Sequence, residues 1–211
     1  MRVLAVDTAS PLPALALVET GDGAEGRATV RALPPNAAEA LPEAVEALLA
    51  ERGAGLAAVD RVAVLSGPGS FTGLRAGAAF ARGLARGLGV PLVAVRTFAA
   101  ASEAAPGGDA TFLLDAGRGE VHRARRRAGA LVEDAAPLPR EAALRDAKSS
   151  VVVDISTSGA RLALALGQLA AREDPVFAAL APAYGRRSAA EEKADQAGGT
   201  GRGVPGGGGR P

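Results

Sequence analysis

The chain has 211 residues, is 48% hydrophobic and carries a formal net charge of +1, enough for one large or two small domains around a real core. Aromatics make up only 3%, so that core is built from Ala, Leu and Val, and the near-zero charge gives no global case for a nucleic-acid or membrane surface. There is no cysteine and the single histidine is His122, which excludes disulfides, thiolate catalysis, zinc–cysteine sites and two-histidine metal motifs.

The opening MRVLAVDTAS reaches an aspartate too early for a secretory signal. No segment offers the roughly 18 uninterrupted apolar residues of a membrane span, so the expectation is a cytoplasmic protein with no membrane partner. Arg2–Asp7 reads as a buried strand, Pro13–Glu19 as the next and Arg27–Leu33 as a third, with turns between them. Asn36–Gly53 reads as a helix. Asn36 is its N-cap, with Glu39 placed as in a capping box, and Gly53 ends it. Leu41, Val45, Leu48 and Leu49 form one apolar stripe along it, and Pro42 inside it should bend or loosen the first turn. Asp60–Ser66 is a strand, followed by a glycine-rich loop, a helix to about Gly89 and a strand over Val90–Val95.

Near Ala101–Ala110 the pattern resets. Thr111–Arg127 repeats the logic of the N-terminus: an apolar strand ending in aspartate, a tight turn and a returning strand. Asp7 and Asp115 hold equivalent places in the two hairpins, a weak internal repeat that suggests two similar α/β halves. A short helix over Pro139–Ala147, a strand over Ser149–Ile155 and a helix over Ala160–Glu173 follow. The expected domains are residues 1–100, residues 101–187 and a Gly-rich tail, 188–211, too poor in apolar side chains to fold.

The loop Gly67, Pro68, Gly69, Ser70, Thr72, Gly73 has the strand–loop–helix context of a phosphate site. The P-loop pattern fails, because Leu74 and Arg75 stand where lysine and Ser/Thr are needed. The dinucleotide fingerprint fails by one residue of spacing. A tight turn capped by Ser70 or Thr72 is the plainer reading. In the helix beyond, Gly73, Gly77, Ala81 and Ala85 recur every four residues as one smooth stripe. Such a stripe admits another backbone at close range. Either a second subunit or the sheet of the same chain would fill it.

Leu65–Val95, LSGPGSFTGLRAGAAFARGLARGLGVPLVAV, resembles the signature of the TsaB (YeaZ) family of bacterial tRNA threonylcarbamoyladenosine biosynthesis proteins. LAVDTAS (Leu4–Ser10), EALPEAVEALL (Glu39–Leu49) with its internal proline, LLDAGRGEVHRA (Leu113–Ala124) and PAYGRR (Pro182–Arg187) match further family segments in order. Three departures stand out: Gly117 replaces the usual arginine, Gly185 replaces leucine, and Asn36 and Ala37 stand where a histidine usually precedes the first helix. The resemblance implies an actin-like ATPase (ASKHA) α/β fold of two related subdomains, each with a mixed sheet and flanking helices. It implies a chain that is not itself the transferase, binds a TsaD-like transferase subunit, is joined by a TsaE-like ATPase, pairs with itself when alone and meets tRNA only indirectly. No cofactor is expected, beyond a nucleotide that a subunit junction would hold. It points to an interface on the first two helices, comprising Leu41, Val45, Leu48, Gly73, Arg75, Gly77 and Ala81.

Two other readings compete. A degenerate actin-like phosphotransferase or ATPase would use Asp7, Thr8 and Ser10 around phosphate. Ala9, Pro11 and Pro13 argue against it, since prolines remove amide donors. An RNA-binding module would use His122–Arg127, HRARRR, but that run has no aromatics to stack bases. His122 reads as an edge-strand histidine rather than a catalytic one, and no catalytic or metal-binding residues are expected.

Overall fold

The computed structural model describes residues 1–21, 27–147 and 150–172. The expected tail and the PAYGRR segment lie outside the described residues. Six strands and two helices read from the sequence reappear nearly as expected: β1 (Arg2–Asp7), β2 (Ala14–Glu19), β3 (Arg27–Ala32), α1 (Ala37–Ala50), β4 (Arg61–Leu65), α2 (Phe71–Leu88), β5 (Leu92–Val95) and β6 (Ala110–Gly117). Between β5 and β6 lies α3 (Thr97–Ala104), an alanine-rich helix that the sequence does not predict. The second half continues with β7 (Glu120–Arg127), β8 (Ala130–Glu133), β9 (Leu138–Pro139), α4 (Arg140–Asp146), β10 (Val151–Asp154) and α5 (Gly159–Ala170). Strands β8 and β9 were also missed; both are short and half-exposed.

The first sheet has the order β3-β2-β1-β4-β5. β1, β2 and β3 pair antiparallel, while β4 lies parallel to both β1 and β5. The second has the order β10-β6-β7-β8, with β9 beside β7. Its β6–β7 hairpin is antiparallel and β10 is parallel to β6. This is the two-lobed actin-like arrangement, with one mixed sheet per lobe.

β1 and β4 read as unbroken apolar runs because both of their faces are covered. Leu4, Val6, Leu15, Leu17, Val62 and Val64 point to α1 and α2, where they meet Leu41, Val45, Leu48, Ala78, Ala81 and Ala85. The alternate residues Val3, Ala5, Ala14, Ala16, Val18 and Ala63 point to the opposite face. There they join one core with Phe98 of α3, Leu162 and Leu166 of α5, and Phe112 and Leu114 of the second sheet. α5 comes late in the sequence yet packs across β1 and β2 of the first sheet.

Local chemistry sets the helix ends. Ser70 caps α2, its Oγ accepting from the Gly73 amide at 3.2 Å. Gly89 ends α2 at φ 68°, a left-handed turn that glycine adopts without strain. At α1 the expected capping box is not made. Asn36 does not cap through its side chain; its Nδ2 donates to Glu39 Oε2 at 3.0 Å. α1 runs through Pro42, which is exposed.

Candidate functional site

The turn after β1 and the loop before α2 form one unit. Asp7 is fully buried at the end of β1. Its Oδ1 accepts from the Ala9 and Ser10 amides, both at 2.9 Å, and its Oδ2 from Ser10 Oγ at 2.6 Å. Burial pushes its carboxyl up to about 6, against the pull of those three donors. Thr8 donates through Oγ1 to the Gly73 carbonyl at 2.7 Å, and the Ser70 amide donates to the Ala9 carbonyl at 2.9 Å. The glycines of the loop and helix are where this turn docks. A Cβ on Gly73 would lie 1.9 Å from the Thr8 carbonyl oxygen, one on Gly77 2.4 Å from Thr8 Oγ1, and one on Gly69 2.8 Å from the Ala9 carbonyl oxygen.

This geometry corrects the expected interface. Gly73 and Gly77 face the chain's own Thr8–Ala9 turn, and Ala81 lies in the core under the first sheet. Leu41, Val45 and Leu48 are at most 2% exposed and belong to the same core. The stripe is smooth because a backbone approaches it closely, and that backbone is internal. Of the seven residues, Arg75 alone is exposed, its guanidinium 5.4 Å from the Phe71 ring centroid. In the structural loop, Gly67, Pro68 and Gly69 carry the chain to the Ser70 cap, the Gly67–Pro68 peptide is cis, and Thr72 is exposed.

The outward faces of α1 and α2 carry a pattern that the sequence reading missed. Glu39, Glu43 and Glu46 are exposed along α1, and Arg75, Arg82 and Arg86 along α2. The two helices pack side by side on the sheet, so they present an acidic row next to a basic one. The signal was available in the spacing, since charges three, four or seven apart share a helix face.

An actin-like fold implies a nucleotide between its lobes, with amides of the first turn on its phosphates. The residues here do not fit that role. The Asp7 carboxylate and the Thr8 hydroxyl are engaged within the chain, and Pro11 and Pro13 bring no amide donor. A cleft of about 950 Å³ opens beside them, lined mainly by apolar side chains such as Leu12, Leu33 and Val152, with Asp154 and Arg161 at hand. Asp115, the counterpart of Asp7 in the second hairpin, is exposed. Among the described residues, no group of three or more His, Asp and Glu side chains converges as a metal site would require.

The basic run of β7 is held within its own lobe. Arg123, 7% exposed, donates to Asp134 at 2.6 Å and to Asp146 at 2.8 Å. Arg125 donates to Asp134, Arg126 to the carbonyls of Ser102 and Gly108, and Arg127 to that of Ala110. Cations so engaged offer little to RNA phosphates. His122 is half-buried on the same strand opposite Leu114. No helix of the described residues is long and apolar enough to cross a membrane.

Comparison with known proteins adds the family. The family model TsaD, tRNA N6-adenosine threonylcarbamoyltransferase, matches residues 35–148. The tRNA threonylcarbamoyladenosine biosynthesis protein TsaB of Haemophilus influenzae is 35% identical over 111 residues, covering 50% of this chain and 43% of that protein. TsaB of Escherichia coli is 34% identical over 126 residues, covering 58% and 53%. The chain thus spans about half the length of these curated relatives. The solved structure of YeaZ from Pseudomonas aeruginosa superposes with a TM-score of 0.68 at 27% identity, over 87% of this chain and 99% of that one.

Proposed function

The chain belongs to the TsaB/YeaZ family, and from that premise we propose that it serves threonylcarbamoylation of the tRNA adenosine next to the anticodon as a non-catalytic partner subunit. One observation carries the non-catalytic part. The turn that an ATPase of this fold would offer to phosphate is spent on internal bonds, from Asp7 to Ser10 and from Thr8 to Gly73. The chemistry then resides in a TsaD-like transferase subunit, with a TsaE-like ATPase joining the pair. The surface that meets the transferase is the outer face of α1 and α2, with Glu43, Glu46, Arg75 and Arg82 exposed on it. Its paired acidic and basic rows also suit a second copy of the chain in the absence of the partner. Co-expression with a TsaD-like chain and pull-down tests the proposal. Recovery of a stable complex that Arg75→Glu with Arg82→Glu abolishes is the expected result. Failure to co-purify, or ATP turnover by the isolated chain that Asp7→Ala removes, defeats it.

A further inference from the structure

The two lobes are linked through α3 and again by the chain from β10 into α5, and the two ends of α3 are held differently. Near its C-terminal end, Arg126 of β7 donates through Nη1 to the Ser102 carbonyl at 2.6 Å and to Ser102 Oγ at 3.1 Å. Its Nε donates to the Gly108 carbonyl at 2.7 Å, and its guanidinium lies 5.6 Å from the Phe112 ring centroid. These contacts tie this end of α3 to the second lobe. At the other end the Thr97 amide donates to the Gly67 carbonyl at 2.9 Å, tying the start of α3 to the loop that follows β4. Within this link, Arg96 and Thr97 are the point at which the hold on α3 passes from one lobe to the other.

Three features meet at that point. Arg96, the N-cap residue of α3, reaches across to Glu133 at the end of β8, with Nε 3.3 Å from Oε1 and Nη2 bonded to Oε2. The two side chains are 44% and 25% exposed. Beneath the pair is a cavity of about 320 Å³, lined also by Pro68, Phe98, His122 and Asp134. Thr97 is fully buried, and its Oγ1 has no hydrogen-bond partner among the described residues. A buried hydroxyl left without a partner disfavours the arrangement that leaves it so.

We infer that the Arg96–Glu133 pair is a latch. It holds the lobes closed against the preference of the Thr97 pivot for a more open arrangement. The latch spans the lobe junction at the pivot, so a modest difference in free energy sets the balance between two lobe angles. Because the pair is partly exposed, salt weakens it. The latch thereby fixes the angle between the β6–β7 hairpin of one lobe and the α1–α2 face of the other.

The chain has no cysteine, so two spin labels can be placed cleanly on the full chain. Ala57→Cys in the first lobe and Glu141→Cys in the second are both exposed positions. Inter-lobe distances are read by pulsed electron–electron resonance, with the labelled chain diluted in unlabelled protein. At low salt the doubly labelled parent should give one narrow distribution. Glu133→Gln should add a longer-distance population, as should raising salt to about 0.5 M, where the screening length is only a few ångströms. The charge swap Arg96→Glu with Glu133→Arg should restore the narrow distribution. Thr97→Val, which removes the lone hydroxyl, should keep it narrow even at high salt. Superimposable distributions for parent, Glu133→Gln and high salt would overturn the latch. If Glu133→Gln does not fold, the salt series on the parent alone decides the matter in the same way.

Discussion

Gly77→Ala separates internal packing of the α2 stripe from a role in contacting a partner. On a helix surface this change is favourable by up to about 1 kcal/mol, because alanine is the better helix former. Here the new Cβ falls 2.4 Å from Thr8 Oγ1 and 3.5 Å from Val64 Cγ2. Thr8 must rotate away, and its 2.7 Å bond to the Gly73 carbonyl is lost. Losing that bond costs about 1 kcal/mol, and forcing a methyl into packed space costs about 1–3 kcal/mol. The net expectation is destabilisation by about 1–3 kcal/mol, or a fall in Tm of several degrees at about 2–4 °C per kcal/mol for a chain of this size. Urea denaturation followed by circular dichroism measures it. Thr8→Ala removes the colliding oxygen and leaves the new Cβ beside Thr8 Cβ at 3.7 Å, an ordinary contact. The double variant should therefore be more stable than the sum of the single changes predicts, with a coupling of about 1 kcal/mol or more. A neutral or stabilising Gly77→Ala, or an additive double variant, would refute the internal docking of the Thr8 turn.

Three further outcomes follow from the same geometry. Asp7 has its carboxyl raised from 3.8 to about 6, so the folded state holds that proton more tightly than the unfolded chain, and its contribution is full below pH 4 and lost as pH rises through 6. The loss is about 3 kcal/mol, and Asp7→Asn should flatten the stability profile between pH 4 and 6 in denaturation curves. Arg123→Met, by leaving Asp134 and Asp146 without the guanidinium that joins them, should lower stability by about 2 kcal/mol, whereas Arg145→Met on the exposed rim should change it little. Glu43→Lys with Glu46→Lys on the outer face of α1 should weaken capture of a TsaD-like chain in a pull-down while leaving the urea midpoint unchanged.

Much of the first lobe was legible because its signals are local. β1 and β4 are apolar runs, Ser70 and Gly89 are local end signals of α2, and the hairpin after Asp115 repeats the one after Asp7. What the sequence hid are contacts between residues far apart in the chain. Periodicity placed Gly73, Gly77 and Ala81 on one face, but that the face meets Thr8, 65 residues before Gly73, follows only from the sheet order. The run HRARRR looked like a charged surface, since its partners Asp134, just past β8, and Asp146, on α4, lie outside its own strand. α3 escaped notice because TFAAASEA has neither a polar cap nor an apolar stripe of large residues. Its burial comes from both lobes at once.

The position of α5 bears on how the chain is made. The face of the first sheet that carries Val3, Ala5 and Val18 is closed by a helix that begins at Gly159. The fit is close: a Cβ on Gly167 would lie 2.6 Å from Val18 Cγ2. On the ribosome, β1 and β2 emerge well over a hundred residues before their cover, a delay of about 10–30 s at ordinary elongation rates. Through that interval the nascent first lobe carries a bare apolar sheet face, a surface that chaperones are suited to hold. A stop codon anywhere before α5 leaves that face open for good, and such fragments should be recovered as aggregates.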